Sequence, residues 1–147
     1  MVDSHRETEL RRAIEDLFFG YRAFTGLPDQ ILAKRNLGRT HHRILYFVHR
    51  EPEISLGDLL AVLAITKQAA HRPVRDLEEQ GLLSVRSDTK DRRIRRLRVT
   101  RHGAKLEAEL SAAQMRLLDA AFRKVGPKAE QAWRDVMAEL QTKHRPV

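Results

Sequence analysis

The chain has 147 residues, 41% of them hydrophobic, which suits one domain or one protomer of a small dimer and leaves enough apolar surface for a core. Its formal charge of +8 points to an anionic partner. The absence of cysteine excludes disulfides, thiolate metal sites and cysteine nucleophiles.

In chain order, the first predicted helix covers residues 4–25, where Leu10, Ala13, Ile14, Leu17, Phe18, Tyr21 and Phe24 recur at steps of three and four. Ser4 and Glu7 are its expected cap. Gly26-Leu27-Pro28-Asp29 should break it, leaving a short helical piece over residues 30–35. The next helix, over residues 39–50, presents Ile44, Leu45, Phe47 and Val48, and Glu51-Pro52-Glu53 stops it because proline disfavours helix in the residue before it.

From Ser55 the pattern changes. Residues 55–63 and 66–80 are two apolar-faced helical segments joined by a turn of three or four residues, the spacing of a helix-turn-helix. Ser55, with Asp58 three residues on, caps the first, and Thr66 caps the second. Gly81 ends the second, since glycine takes the left-handed conformation that closes many helices. Pro73 should kink that helix or force a bulge near its seventh position, where it removes a backbone hydrogen bond. After Gly81 the period becomes two. Leu83 and Val85 alternate with Ser84 and Arg86, and Leu97 and Val99 with Arg96 and Arg98. A polar run over residues 87–93 lies between, so the stretch reads as a β-hairpin wing.

Residues 84–101 carry eight basic and two acidic residues, so most of the net charge lies on this wing. A basic patch beside a helix-turn-helix is the electrostatic footprint of a phosphate backbone. A membrane surface fits less well, because the charge lies on strands and not on an amphipathic helix. Beyond the wing, Thr100 caps a long helix to about Val125, with Leu106, Leu110, Ala113, Leu117, Ala121 and Val125 on its inner face and Met115, Leu118 and Phe122 widening it. Gly126-Pro127 separates it from a last helix, to about Lys143, bearing Ala129, Trp133, Val136, Met137 and Leu140. The first and the last two helices each bear an apolar stripe that the small wing region cannot cover. They form either a self-contained bundle or an interface with a second copy.

The run Leu82-Leu83-Ser84-Val85-Arg86, then Asp88-Thr89-Lys90-Asp91-Arg92-Arg93, then Leu97-Arg98-Val99-Thr100-Arg101-His102-Gly103 resembles the MarR family of bacterial transcription regulators. Asp91-Arg92-Arg93 matches that family's wing motif and Val99-Thr100-Arg101-His102-Gly103 loosely matches the end of its wing. Pro73 departs from the family pattern. The resemblance implies a mainly α fold with a small β-hairpin wing. Residues 37–100 would be the winged helix-turn-helix region. Residues 1–36 and 101–147 would be a helical region that interlocks two subunits, the whole forming one intertwined domain. Ile54 would add a short third strand. Such a homodimer would set two recognition helices about 34 Å apart on double-stranded DNA.

The expected DNA contacts are Thr66, Lys67, Gln68, His71, Arg72 and Arg75 on the recognition helix and Lys90, Arg92, Arg93 and Arg95 on the wing. Gln68 suits an adenine edge, because its amide both donates and accepts. Thr66, Lys67, Arg72 and Arg75 suit phosphates. Arg92 or Arg93 suits the minor groove, and Asp91 would orient a neighbouring arginine or stiffen the loop. Many members of the resembled family are switched by a small molecule bound between the dimer helices and the wing domain. In this chain Tyr21, Phe24, His41, His42 and Arg43 would line that cleft. No cofactor is expected. None of the seven histidines forms an H-x-x-x-H pair, so no metal site is expected either. No glycine-rich phosphate loop or nucleophile elbow is present, which argues against an enzyme. No apolar run is long enough to span a membrane and the first residues lack a signal-peptide layout, so a cytoplasmic location with no membrane partner is expected. Two other readings stay open: a sequence-indifferent architectural DNA binder, and a winged helix that binds protein.

Overall fold

The computed structural model describes residues 3–142. The elements run α1 (Ser4–Ala33), α2 (Arg39–Arg50), β1 (Ile54–Ser55), α3 (Leu56–Leu63), α4 (Lys67–Glu79), β2 (Leu83–Ser87), β3 (Arg95–Val99), α5 (Arg101–Val125) and α6 (Pro127–Gln141). The expected end of the last helix at Lys143 lies outside the described residues.

Helix α1 differs from the sequence expectation at both ends. Its N-cap is Asp3, whose carboxylate accepts the Arg6 amide at 2.8 Å, so the cap sits one residue earlier than Ser4. The helix does not break at residues 26–29 but continues through Pro28 to Ala33. Pro28 cannot donate to the Phe24 carbonyl four residues back. That carbonyl instead meets the side-chain amide of Gln114 on α5, at 3.5 Å. Pro28 itself is buried, so its ring packs inward. A distant side chain thus supplies what the local sequence removes.

The sheet has the order β1-β3-β2, antiparallel throughout. Ile54 pairs with Leu97, Val85 with Leu97 and Leu83 with Val99, which sets Leu83, Val85, Leu97 and Val99 on the inner face. Helices α2, α3 and α4 pack around this sheet. The core is almost wholly leucine and isoleucine: Leu32, Leu37, Ile44, Leu45, Val48, Ile54, Leu59, Leu77, Leu82, Leu83, Leu97, Leu106 and Leu110. Each such burial contributes about 1.5–3 kcal/mol. Phe47, expected on the buried face of α2, is only partly covered, and His42 takes an inner position instead.

One junction ties α4, the hairpin and the long helix α5 together. Helix α4 ends in a Schellman motif: the Gly81 amide reaches the Glu78 carbonyl and the Leu82 amide reaches the Leu77 carbonyl, both at 2.9 Å, with Gly81 at φ +70°. The Leu82 carbonyl accepts the Thr100 amide at 3.1 Å. The Thr100 hydroxyl donates to the Gly81 carbonyl at 2.6 Å, while its oxygen caps α5 by accepting the Gly103 amide at 3.0 Å.

Helices α1 and α5 pack on each other and on α2, and α6 packs on α5. Within one chain α5 is buried only along its first half, through Leu106, Leu110 and Ala113. Leu117 and Val125, expected on the inner face, are exposed, as are Leu10, Ile14, Leu17 and Phe18 of α1 and Trp133, Val136 and Leu140 of α6. No residue of α6 is buried. No described helix is long and apolar enough to cross a membrane.

Gly103 is required by space. A methyl group there would run into the Leu82 carbonyl oxygen and lie 2.8 Å from Val99 Cγ1. Gly103→Ala should therefore cost about 2 kcal/mol or more and lower the Tm by several degrees, because the obstacle is backbone. An unchanged melt would show that the junction can yield.

Candidate nucleic-acid interface

Helix α3 starts at Ser55, whose hydroxyl accepts the Asp58 amide at 3.0 Å. It ends at Ala64, a left-handed residue with φ +53° that turns the chain after a single bend. Thr66 then caps α4 by accepting the Ala69 amide at 3.0 Å. Three residues therefore separate the two helices, and their angle is held by caps at both edges of the turn.

Helix α4 runs uninterrupted from Lys67 to Glu79 with Pro73 inside it. Pro73, where a kink or bulge was expected, does not end the helix. The helical register carries across, and the one acceptor that proline leaves without its usual donor belongs to Ala69, an exposed residue open to water. Ala70 and Leu77 are buried. At 100° per residue, the opposite side of α4 presents Gln68, Arg72, Arg75 and Glu79. All four are exposed. Lys67 and His71 lie on the flank toward the wing. They line a groove of about 390 Å³ with Val74 and Arg75, facing Val85, Arg95 and Leu97. Arg75 donates through Nε to Glu79 at 3.0 Å. Arg72 donates through Nε to Asp76 at 3.4 Å, and its terminal nitrogens have no partner among the described residues.

The wing turn is organised by a residue that the sequence reading passed over. Asp88 Oδ2 accepts the backbone amides of Lys90 and Asp91, at 3.0 and 2.9 Å, and Oδ1 accepts from Arg96 Nε at 3.0 Å. The Asp91 amide, then Arg96 and Lys90, hold its carboxyl below the ordinary carboxylate range. The signal for it was an Asx turn, an aspartate followed by two residues able to fold back on it. Asp91 binds Arg93 in a fork, Oδ1 to Nε and Oδ2 to Nη2, both at 3.0 Å. Arg93 is thus committed to Asp91 and Arg92 is not. Lys67, Lys90, Arg92 and Arg95 have no ion-pair partner among the described residues. The outer face of the hairpin adds Arg86, Arg96 and Arg98, in register with one another and with Ser84. Arg98 is paired with Glu53 at 2.8 Å.

The residues expected to line a cleft divide into two groups. Tyr21, Phe24 and Arg43 come together. Arg43 Nη2 donates to the Tyr21 hydroxyl at 2.6 Å, and the Tyr21 and Phe24 rings lie 6.4 Å apart. Arg39 stacks over Tyr21 at 5.5 Å and forks onto Asp29. His42 is buried behind them. His41 does not join this group. Its ring is turned toward α4, with Nδ1 accepting the Gly38 amide at 2.9 Å and Nε2 lying 3.0 Å from Asp76. That contact is the main cause of the lowered pKa of Asp76. Between α2 and α5, buried Glu107 accepts from the Ser111 hydroxyl at 2.5 Å and lies 3.9 Å from His49.

Residues 35–94 match the MarR family. The chain is 44% identical to the HTH-type transcriptional regulator PetP of Rhodobacter capsulatus over 134 residues, covering 91% of this chain and 81% of that one. The chain belongs to the MarR family. Its members are transcriptional regulators, not enzymes, and the helix-turn-helix and hairpin described above form the winged-helix fold of these regulators. The crystal structure of MarR superposes with a TM-score of 0.72 at 26% identity, over 91% of this chain and 89% of that one. The structure of NadR in complex with 4-hydroxyphenylacetate gives 0.71 at 23% identity, over 86% and 89%.

His42 gives this MarR-family chain a measurable acid sensitivity. Burial holds its imidazole below the ordinary value of 6.5, while Glu107 pulls weakly the other way. The unfolded chain therefore takes up a proton that the folded chain refuses. The stability from this group is fully present above about pH 6.5 and is lost as the pH falls through the depressed folded value. Melts from about pH 8 to about pH 5 should show a steeper Tm decline for the native chain than for His42→Leu. Parallel declines would contradict this assignment.

Proposed function

We propose that the protein is a homodimeric, sequence-specific DNA-binding regulator that recognises a pseudo-palindromic site and represses by blocking polymerase. The observation that carries this reading is the exposed side of α4, with Gln68, Arg72 and Arg75 uppermost, beside a wing whose Lys90, Arg92 and Arg95 are free of internal ion pairs. Gln68 reads a base edge, while Lys67, Arg72 and Arg75 hold phosphates. Arg92 enters the minor groove in preference to Arg93, whose guanidinium is already held by Asp91. Thr66 and His71 flank these contacts, and Asp91 stiffens the loop.

The exposed apolar faces of α1, α5 and α6 favour a second copy over a self-contained bundle, because one chain leaves Phe18, Trp133 and Leu140 in solvent. An effector would take the space beside Tyr21, Phe24, His42 and Arg43, where an arginine and aromatic rings suit an aromatic carboxylate. The NadR complex with 4-hydroxyphenylacetate supports that chemistry for a protein of the same fold. A coupling of about 1–3 kcal/mol between the cleft and DNA would change affinity 5- to 150-fold.

The test is anisotropy titration of a duplex from the region upstream of the protein's own gene against a scrambled duplex. Gln68→Ala should cost about 1–3 kcal/mol on the native duplex and little on the scrambled one. Arg92→Ala should weaken both and lower the salt slope by about one, more than Arg93→Ala does. Equal affinity for both duplexes would favour an architectural binder, and no binding at any salt would favour a protein-interaction module.

A further inference from the structure

The contact between His41 and Asp76 joins two elements that the DNA-binding reading treats separately. His41 is the third residue of α2, and Asp76 lies on the flank of α4 next to the exposed side. Their side chains are 13% and 26% exposed, and their atoms approach to 3.0 Å. The geometry also fixes the tautomer. A backbone amide can only donate, and Gly38 donates to Nδ1, so Nδ1 must be the acceptor and the ring proton sits on Nε2. That proton points at Asp76 Oδ2. The other carboxylate oxygen, Oδ1, receives Arg72 Nε. The chain of contacts runs from the Gly38 amide to imidazole, carboxylate and guanidinium. It ends on a side chain that is 87% exposed and whose terminal nitrogens have no partner among the described residues.

We propose that His41 is a positioning residue for DNA recognition, acting through Asp76 to hold Arg72 in the orientation that meets a phosphate. Arg72 has four rotatable bonds and would otherwise lose their freedom on binding. Anchoring Nε leaves the terminal nitrogens directed away from the helix, where a phosphate takes two of their hydrogens. Asp76 can serve as anchor because its carboxylate has a donor on either side. Without His41, Asp76 would be free to turn and take the terminal nitrogens itself, in competition with the phosphate. The inference rests on the reading that α4 faces DNA. The same contact links the first turn of α2, held to α1 through Arg39–Asp29 and Arg43–Tyr21, to the recognition helix.

Two substitutions separate positioning from structure. His41→Asn keeps an acceptor near Nδ1 for Gly38 and loses the donor to Asp76. His41→Gln keeps a donor near Nε2, and its amide oxygen can accept the Gly38 amide as glutamine does at this position of a capping box. Both are measured against the upstream duplex at several salt concentrations, with Arg72→Ala and the His41→Asn/Arg72→Ala pair, and each variant is melted. The expected result is that His41→Asn weakens binding several-fold and lowers the salt slope by about one at near-native Tm. His41→Gln should bind like the native chain. The double variant should bind no worse than Arg72→Ala alone. Native binding by His41→Asn, or additive losses in the double variant, would overturn the proposal while the DNA reading stands, provided Arg72→Ala weakens binding. If Arg72→Ala binds normally, both this proposal and the phosphate role of Arg72 fall.

Discussion

Leu82 is the residue on which the arrangement of this molecule turns. Its amide closes α4 and its carbonyl receives Thr100, so one residue ends α4 and ties it to the far end of the hairpin. Thr100 and Gly103 then launch α5 from the same point, with no room for a side chain at Gly103. The direction of the DNA-facing helix, the pitch of the hairpin and the course of the longest C-terminal helix are therefore not independent. A shift of α5 against its neighbours is felt at the end of α4 through backbone hydrogen bonds, which are short and directional. The junction therefore couples the position of α5 to that of α4.

The electrostatics of the α4 and wing surface follow a division of labour among its carboxylates. Asp88 folds the wing turn by accepting two amides, and Asp91 holds Arg93. Asp76 and Glu79 hold Arg72 and Arg75 by their Nε atoms. Exposed pairs of this kind add little stability, typically less than about 1 kcal/mol each. Their consequence is orientation. They restrict long side chains, and a side chain restricted in advance loses less entropy when it binds a partner. Lys67, Arg86, Lys90, Arg92 and Arg95, which have no ion-pair partner among the described residues, add to the long-range field.

The parts legible in the sequence were those set by neighbours in the chain. Ser55, Thr66 and Thr100 cap the helices that follow them because an N-cap acts within three residues. The strand register follows because alternation places Leu83, Val85, Leu97 and Val99 on one face. What was not legible depends on partners far along the chain. Pro28 reads locally as a breaker, but Gln114, ninety positions from Phe24, meets the freed carbonyl. His41 reads as one of two adjacent histidines facing the same cleft. Only the approach of Asp76, thirty-five positions on, shows that its ring turns the other way. The preference of Asp91 for Arg93 over Arg92 is a matter of side-chain geometry that residue order does not encode.

We propose that two copies of this chain place two copies of α4 on one DNA site. A footprint on the DNA upstream of the protein's own gene, at low and at moderate salt, tests it most directly. The expected result is a bounded protected region with two-fold symmetry, its half-sites one helical turn apart, which persists at the higher salt. Diffuse protection that disappears as salt rises would contradict it, because phosphate attraction alone would then account for all of the binding.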